Sequence, residues 1–226
     1  RVFSIFSDAG TYGSSMGFFG VVYTVLAIHN KVLKKKIFYS VVALLSLYAM
    51  IISGTRSAIA VPLVGFMMYT VLTKQVKIIV TTGTVIFLLF FFLKYTTIGQ
   101  GNYDIRRMRS AFNEDNASMN VRYENRKLFA AYLATRPFGG GVGSAGNWGM
   151  RFTPHTFLAQ TATDGWYIQI WAEQGVVGLT VYLAMILYFF SKSCFLIFFR
   201  LKKPEYLYSA IAFTAGMLGL MVSSYT

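Results

Sequence analysis

The sequence predicts an all-α protein: a polytopic membrane helix bundle with one large, partly helical extracytoplasmic loop. Of its 226 residues, 55% are hydrophobic and 13% are charged, whereas a soluble domain averages about a quarter charged residues. The hydrophobic residues lie in six blocks, and a helix of about 20 residues crosses a bilayer. Because a helix satisfies its backbone hydrogen bonds within its own segment, such blocks predict membrane helices rather than a soluble core.

The six blocks divide the chain into three regions. Residues 1–93 contain four predicted membrane helices, and residues 166–226 contain two more. Residues 94–165 between them are polar and form the predicted loop. The predicted helices cover about 13–29, 37–53, 57–73, 78–93, 166–199 and 206–225. Because the chain starts at Arg1 and stops within the sixth block, we expect it to be a fragment of a larger bundle.

The distribution of positive charge predicts the orientation of these helices. Short loops rich in lysine and arginine remain in the cytoplasm, and three such loops are 31–36, 74–77 and 200–203. Each follows an odd-numbered helix, so all three lie on the same side. Residues 94–165 then lie on the outer side, because long loops are translocated largely regardless of their charge.

The two sides carry different cations. Together with Lys192, the cytoplasmic loops hold nine lysines and one arginine, whereas residues 94–165 hold seven arginines and two lysines. Topology needs only positive charge, but the planar guanidinium group of arginine pairs with phosphate or carboxylate through two hydrogen bonds. We therefore expect the loop to bind an anion. The alternative is that its arginines coat a surface near anionic lipid.

Two segments of the loop have recognisable patterns. Residues 118–135 predict an amphipathic helix with Ser118 as the N-cap, and Arg122 and Arg126, four residues apart, project from one face. Its expected apolar stripe consists of Val121, Leu128, Phe129, Tyr132 and Leu133. The glycine-rich run 139–149 follows, and it permits unusual backbone angles and the close approach of a ligand. It lacks the Gly-Lys-Ser/Thr ending of a phosphate-binding P-loop.

Four further polar residues stand out by position. Arg56 lies between two apolar helices, where an ionisable side chain indicates function unless it extends to the outer head groups. Asp164 and Glu173 lie near the point where the chain re-enters the membrane, and either could simply be solvated there. His155 lies in a turn, where a lone histidine is often only a polar loop residue. The two histidines and one cysteine have no metal-ligand spacing, so we expect no metal site.

Three sequence segments carry a family resemblance. They are SGTRSA at 53–58, NVRYENRKLFAAYLATRPFGGGVG at 120–143 and TDGWYIQIWAEQGVVGLTVYL at 163–183. In this order they resemble the motifs of the O-antigen ligase and O-antigen polymerase superfamily of bacterial envelope glycosyltransferases. Those motifs are an R-S/T-A-like segment between two helices, an arginine-containing helix before a Pro-x-x-G-x-G turn, and a stretch ending E-x-G-x-x-G-L.

The resemblance implies an enzyme at the outer face of the bacterial inner membrane. It would transfer a glycan from undecaprenyl pyrophosphate to an acceptor sugar hydroxyl, with neither a cofactor nor a metal. Asp164 is our first choice for the general base and His155 our second. Besides the lipid-linked glycan and membrane lipid, partners could include a chain-length regulator protein, and no nucleic acid is expected. The arginines expected to bind the pyrophosphate are Arg56, Arg122, Arg126, Arg136 and Arg151.

One departure from the family pattern favours a polymerase of oligosaccharide repeat units. Ligases of the family carry a catalytic histidine at the start of the last motif, where this chain has Asp164-Gly165. A ligase that transfers glycan to a lipid core or to a protein is the alternative within the family. A transporter of an anionic lipid-linked substrate is the alternative from another class. A transporter would place charges near the bilayer midplane, whereas here they gather at one face.

Overall fold

The protein consists of helices joined by turns. A computed structural model describes residues 5–6, 8–75, 117–163 and 165–225, with scattered positions between the second and third of these ranges. No strand occurs in the described residues, and the predicted all-α class is confirmed. The helical segments are α1 (Ala9–His29), α2 (Leu33–Ile52), a 3-10 turn (Ser57–Ile59), α3 (Ala60–Thr73), α4 (Ala117–Leu133), α5 (Gly146–Phe152), α6 (Phe157–Gln160), α7 (Trp166–Phe195), a π-helical turn (Leu196–Arg200) and α8 (Pro204–Ser223).

Four of the described helices are long and apolar enough to cross a membrane. They are α1, α2, α8 and the continuous segment Trp166–Arg200 that α7 forms with the π-helical turn. The 3-10 turn and α3 together make a shorter apolar helix, Ser57–Thr73. The predicted fourth membrane helix, 78–93, falls largely outside the described residues. These lengths match the thickness of a bilayer, and the chain is a multi-pass membrane helix bundle.

The chain forms two compact units. The first, here called the bundle unit, comprises Arg1–Glu114 and Phe190–Ser223. The second, the loop unit, comprises Asp115–Phe189 and Ser224–Thr226. The division of function among residues 1–93, 94–165 and 166–226 stays a prediction.

The ends of α1 and α3 follow from local backbone chemistry. Asp8 is the N-cap of α1, and its carboxylate accepts hydrogen bonds from the Thr11 amide at 2.8 Å and the Thr11 hydroxyl at 2.7 Å. Such a cap satisfies one of the amides that the first helical turn leaves without a partner. α3 ends where Lys74 adopts a left-handed conformation with φ 53°.

The core of the bundle unit lies between α1, α3 and α8. Its buried side chains include Val21, Val25, Tyr69, Ile211 and Ala215. Small residues allow these helices to approach closely: a Cβ atom at Gly219 of α8 would overlap the carbonyl oxygen of Val61 in α3. Lipid tails are as apolar as the helices, so close backbone packing supplies much of the association between them. This contact fixes the first turn of α3, directly after the turn that carries Arg56.

The loop unit has a separate, smaller core. It joins α4, α6 and the start of α7 through the buried side chains of Phe129, Leu133, Ala145, Leu158 and Ala172. The ring of Phe157 lies 4.6 Å from the ring of Tyr132 and 6.0 Å from that of Phe129. Residues 117–163 are therefore packed into a defined fold and not merely connected by a loop.

Candidate active site

Helix α4 differs from its predicted form in two respects. It begins at Ala117, so Ser118, which we expected to be the N-cap, lies within its first turn. Of the predicted apolar stripe, Phe129 and Leu133 are buried, but Val121 and Leu128 are 59% and 51% exposed. The predicted stripe was therefore wrong for these two residues.

The inward face of α4 instead continues from its apolar residues to its arginines. Arg122 and Arg126 are half-buried, as is Asn125, whereas the neighbouring positions 121, 123, 124, 127 and 128 are exposed. Steps of three or four residues connect Arg122, Arg126, Phe129 and Leu133 along one side of the helix. The arginines thus lie on the buried face of α4, and a lysine, Lys127, lies on the solvated one. This arrangement does not fit arginines that simply coat a surface.

Neutral groups hold Arg126 in place. Its Nη1 donates to the hydroxyl of Tyr225 at 3.2 Å, its Nη2 donates to the carbonyl oxygen of Tyr225 at 3.1 Å, and the guanidinium carbon lies 4.7 Å from that ring. Asn125 Nδ2 donates to the carbonyl of Ala162 at 3.5 Å from the same face. Because no carboxylate is among these partners, the guanidinium is oriented without being neutralised.

The other two arginines of the loop unit are exposed and contact aromatic rings. The guanidinium carbon of Arg136 lies 3.9 Å from the ring of Tyr132, and that of Arg151 lies 5.9 Å and 5.6 Å from the rings of Trp148 and Phe152. Such contacts leave the positive charge available to an anion. In the described part of the loop unit, Lys127 Nζ forms an ion pair with Glu124 Oε1 at 3.0 Å.

The glycine-rich segment after α4 is bound to a break in α7. Gly175 has φ 65° and ψ −167°, which interrupts the helix. The carbonyl oxygens of Ala172 and Glu173 accept hydrogen bonds from the amides of Gly140 and Gly141 at 3.0 Å and 2.9 Å. In an unbroken helix the Val177 amide would donate to residue 173, but here it donates to the carbonyl of Pro137 at 3.2 Å.

Glycine is required on both sides of this contact. A Cβ atom on Gly175 would overlap the carbonyl oxygen of Pro137, and one on Gly139 would lie 2.5 Å from the amide nitrogen of Gly175. Both residues also have positive φ angles, 65° and 76°, which side chains disfavour. The segments that carry the second and third family motifs, RPFGGG and EQG, therefore form one structural unit. We call it the Gly139–Gly175 junction.

Sequence reasoning did not select Glu173 as a site residue, and the structure buries it at this junction. Its side chain is 8% exposed, and Gln169 Nε2 donates to its Oε1 at 3.4 Å. A carboxylate is rarely buried without partners, so burial argues against simple solvation at the membrane interface. In the sequence, the position of Glu173 two residues before Gly175, within the third family motif, could have indicated that it belongs to the site.

Arg56 belongs to the bundle unit, and its turn is fixed from two helices. The Thr55 hydroxyl donates to the carbonyl of Ala9 in α1 at 2.8 Å. The Ser223 hydroxyl of α8 donates to the carbonyl of Ser57 at 3.0 Å. Arg56 itself is half-buried, and its guanidinium makes no hydrogen bond or ion pair with any residue that the structure describes. A positively charged group in a fixed turn is thus left without an internal counter-ion in the described chain.

The two candidates for the general base have different positions. His155 lies exposed in the turn between α5 and α6. Asp164 lies outside the described residues. The next residue, Gly165, has φ 99°, and the backbone amide of Trp166 donates to the carbonyl of Ser224 at 3.0 Å. Among the described residues, no three His, Cys, Asp or Glu side chains gather where they could hold a metal ion.

The arginine face of α4, the Gly139–Gly175 junction and the Arg56 turn all fall within one family match. A family model described as O-antigen ligase matches residues 41–183, more than half of the chain. The chain belongs to the O-antigen ligase family. No curated protein and no solved structure matches it. The predicted membership of the ligase and polymerase superfamily is confirmed. The family indicates that the chain is a membrane enzyme of the glycosyltransferase type.

The Gly139–Gly175 junction is directly testable by hydrogen exchange. Gly175→Ala should destabilise the loop unit by about 1–3 kcal/mol, because the new side chain meets the Pro137 carbonyl and a positive φ is costly. The amides of Gly140 and Gly141 should then lose their protection. Val176→Ala is the control, since Val176 is 54% exposed. Equal protection of both amides in Gly175→Ala and the wild-type protein would contradict the junction.

Proposed function

We propose that this chain polymerises oligosaccharide repeat units that are linked to undecaprenyl pyrophosphate. The acceptor sugar hydroxyl attacks the anomeric carbon of the lipid-linked glycan. A new glycosidic bond forms, the bond between that carbon and the pyrophosphate oxygen breaks, and the pyrophosphate leaves on its lipid with the electron pair. The hydroxyl proton goes to a general base.

The placement of Arg122 and Arg126 on the inward face of α4 is the observation that carries the proposal. Negative charge develops on the departing pyrophosphate, and fixed guanidinium groups in a partly dehydrated site stabilise it. Arg126 is oriented by the neutral groups of Tyr225, so it needs little rearrangement to receive an anion. Arg136 and Arg151, neither of which pairs with a carboxylate in the described part of the loop unit, would add to the same field. Arg56, in the bundle unit, is proposed as a further pyrophosphate ligand because it stands in the first family motif.

Asp164 is the proposed general base, and His155 is the second candidate. The base must lie within hydrogen-bonding distance of the attacking hydroxyl and be able to accept its proton. Asp164 stands in the family motif that begins at Thr163, next to the start of α7. A polymerase is supported over a ligase because ligases carry a histidine at this position.

The proposed location is the bacterial inner membrane, with the loop unit on the outer side. The lysine-rich segments 31–36, 74–77 and 200–203 support this orientation, since short basic loops remain in the cytoplasm.

A ligase that transfers finished glycan is the second candidate function, because the matching family model is described as O-antigen ligase.

Removal of one arginine proposed to bind the pyrophosphate should nearly abolish glycan transfer. Arg122→Ala and Arg56→Ala should each lower kcat about 100-fold, the effect of deleting one donor to a developing negative charge. Lys127→Ala is the matched control, because it removes a charge from the exposed face of the same helix. The measurement is polymer yield per amount of protein in the membrane. Normal polymer from Arg56→Ala or Arg122→Ala would refute their role at the pyrophosphate.

The general base is tested by a pair of substitutions. Asp164→Asn keeps the size and polarity of the side chain but cannot take up the proton, so it should reduce kcat far more than His155→Ala. Both rates are measured with the same lipid-linked donor and at equal protein levels. A larger loss in His155→Ala would show that the base is assigned to the wrong residue.

A deletion strain separates the polymerase from the ligase. Without a polymerase, lipid-linked glycan should accumulate as single repeat units, because no enzyme joins them. Without a ligase, full-length lipid-linked polymer should accumulate instead. The lipid-linked glycans are extracted and sized by mass spectrometry, with the Lys127→Ala gene restored as the functional control.

A further inference from the structure

An open cavity lies in the loop unit beside Arg151, one of the arginines proposed to bind the pyrophosphate. Its volume is about 430 Å³, within the range of about 300–1,000 Å³ that is common for ligand pockets. It is lined by Gly140, Gly141, Val142, Gly143, Ser144, Trp148, Phe152 and Thr153. The cavity thus lies between the glycine-rich segment and helix α5, and it begins directly at the Gly139–Gly175 junction.

Two aromatic side chains form one wall of this cavity. Trp148 and Phe152 are four residues apart on α5, their ring planes are within 4° of parallel, and their centroids are 6.0 Å apart. They remain 57% and 68% exposed. Large aromatic rings that stay exposed together indicate a surface that binds something. The two parallel rings give the cavity an apolar aromatic lining, with the guanidinium of Arg151 close to both.

The other lining residues offer hydrogen-bonding groups. The backbone amides of Val142 and Gly143 donate no hydrogen bond to any described residue. The hydroxyls of Ser144 and Thr153 already donate to the carbonyls of Gly141 and Gly149, at 2.6 Å and 3.2 Å, so each retains an oxygen that can accept. A ligand in the cavity would therefore meet apolar rings together with hydrogen-bond donors and acceptors.

We propose that this cavity binds one sugar ring of the glycan, with the ring stacked on Trp148 and Phe152. A pyranose ring has an apolar face of C–H groups and a rim of hydroxyls, and these two features match the aromatic wall and the polar lining. Aromatic side chains suit such a surface because they bury a large area at a low cost in conformational entropy. The inference rests on the proposed glycan transfer and adds a binding site for the substrate's sugar.

A lipid surface is the competing occupant, and one observation disfavours it. Lipid tails would leave the amides of Val142 and Gly143 without hydrogen-bond acceptors, which is costly in an apolar environment.

The test measures sugar binding separately from catalysis. The probe is the lipid-free repeat-unit oligosaccharide released from the host's own polymer, added to the complete protein in lipid nanodiscs. Binding is followed by saturation-transfer NMR. Trp148→Ala and Phe152→Ala should each weaken binding about tenfold, as for other central aromatic contacts, and Trp148→Phe should restore most of it. Phe138→Ala is the matched control, because Phe138 is a 73% exposed aromatic residue that does not line the cavity.

Each outcome decides the proposal. Unchanged binding in both alanine variants, or no binding of the oligosaccharide to the wild-type protein at millimolar concentration, would overturn it. So would quenching of Trp148 fluorescence by brominated lipids in a protein with Trp166→Phe and Trp171→Phe, since that places the wall in lipid.

The same experiment distinguishes this site from the proposed function. If the oligosaccharide binds through Trp148 but the wild-type protein transfers no glycan, the sugar site stands and the polymerase assignment fails. If glycan transfer is normal in Trp148→Ala, at unchanged KM, the polymerase assignment stands and the sugar site fails. When both are correct, Trp148→Ala raises the KM for the glycan by a larger factor than it lowers kcat.

Discussion

The backbone contact between the glycine-rich segment and the break in α7 is the constraint on which the candidate site depends. Three hydrogen bonds connect Pro137, Gly140 and Gly141 to the interrupted turn around Gly175. A helix break in an apolar environment would leave backbone groups without partners, and the segment supplies them. The segment in turn has a fixed conformation because the helix supplies its acceptors. Each element therefore needs the other.

Helix α4 is held in place by the core of the loop unit, and this packing decides which of its charged side chains face inward. Its buried residues Phe129 and Leu133 pack in the core of the loop unit, so the rotation of the helix about its axis is set by apolar contacts. Arg122 and Arg126 are then held on the inward face, and Lys127 faces solvent. Hydrophobic packing thus positions a positively charged surface, and the neutral groups of Tyr225 orient Arg126 without cancelling its charge.

In this arrangement, a lipid-linked glycan would be recognised by two kinds of contact, one to its pyrophosphate and one to its sugar. A pyrophosphate needs fixed positive charge, which arginine supplies through a planar set of donors. A sugar ring needs an apolar face and hydrogen-bonding groups together, and the rings of Trp148 and Phe152 line one cavity with the backbone of Val142 and Gly143. Both surfaces adjoin the Gly139–Gly175 junction through short segments of chain, so its geometry would influence binding at each.

Composition and block length were sufficient to predict the all-α membrane fold, because a bilayer imposes one length scale and one way to satisfy the backbone. The order of three motifs was sufficient for the family, and helical spacing placed Arg122 and Arg126 on one face. Sequence could not predict that this face is the buried one, that Val121 and Leu128 are exposed, or that Glu173 is enclosed. Those features depend on which side of α4 packs on its neighbours and on hydrogen bonds between residues some thirty-five positions apart, Gly140 to Ala172 among them. Only the tertiary structure decides such contacts, because local periodicity carries no information about a distant partner.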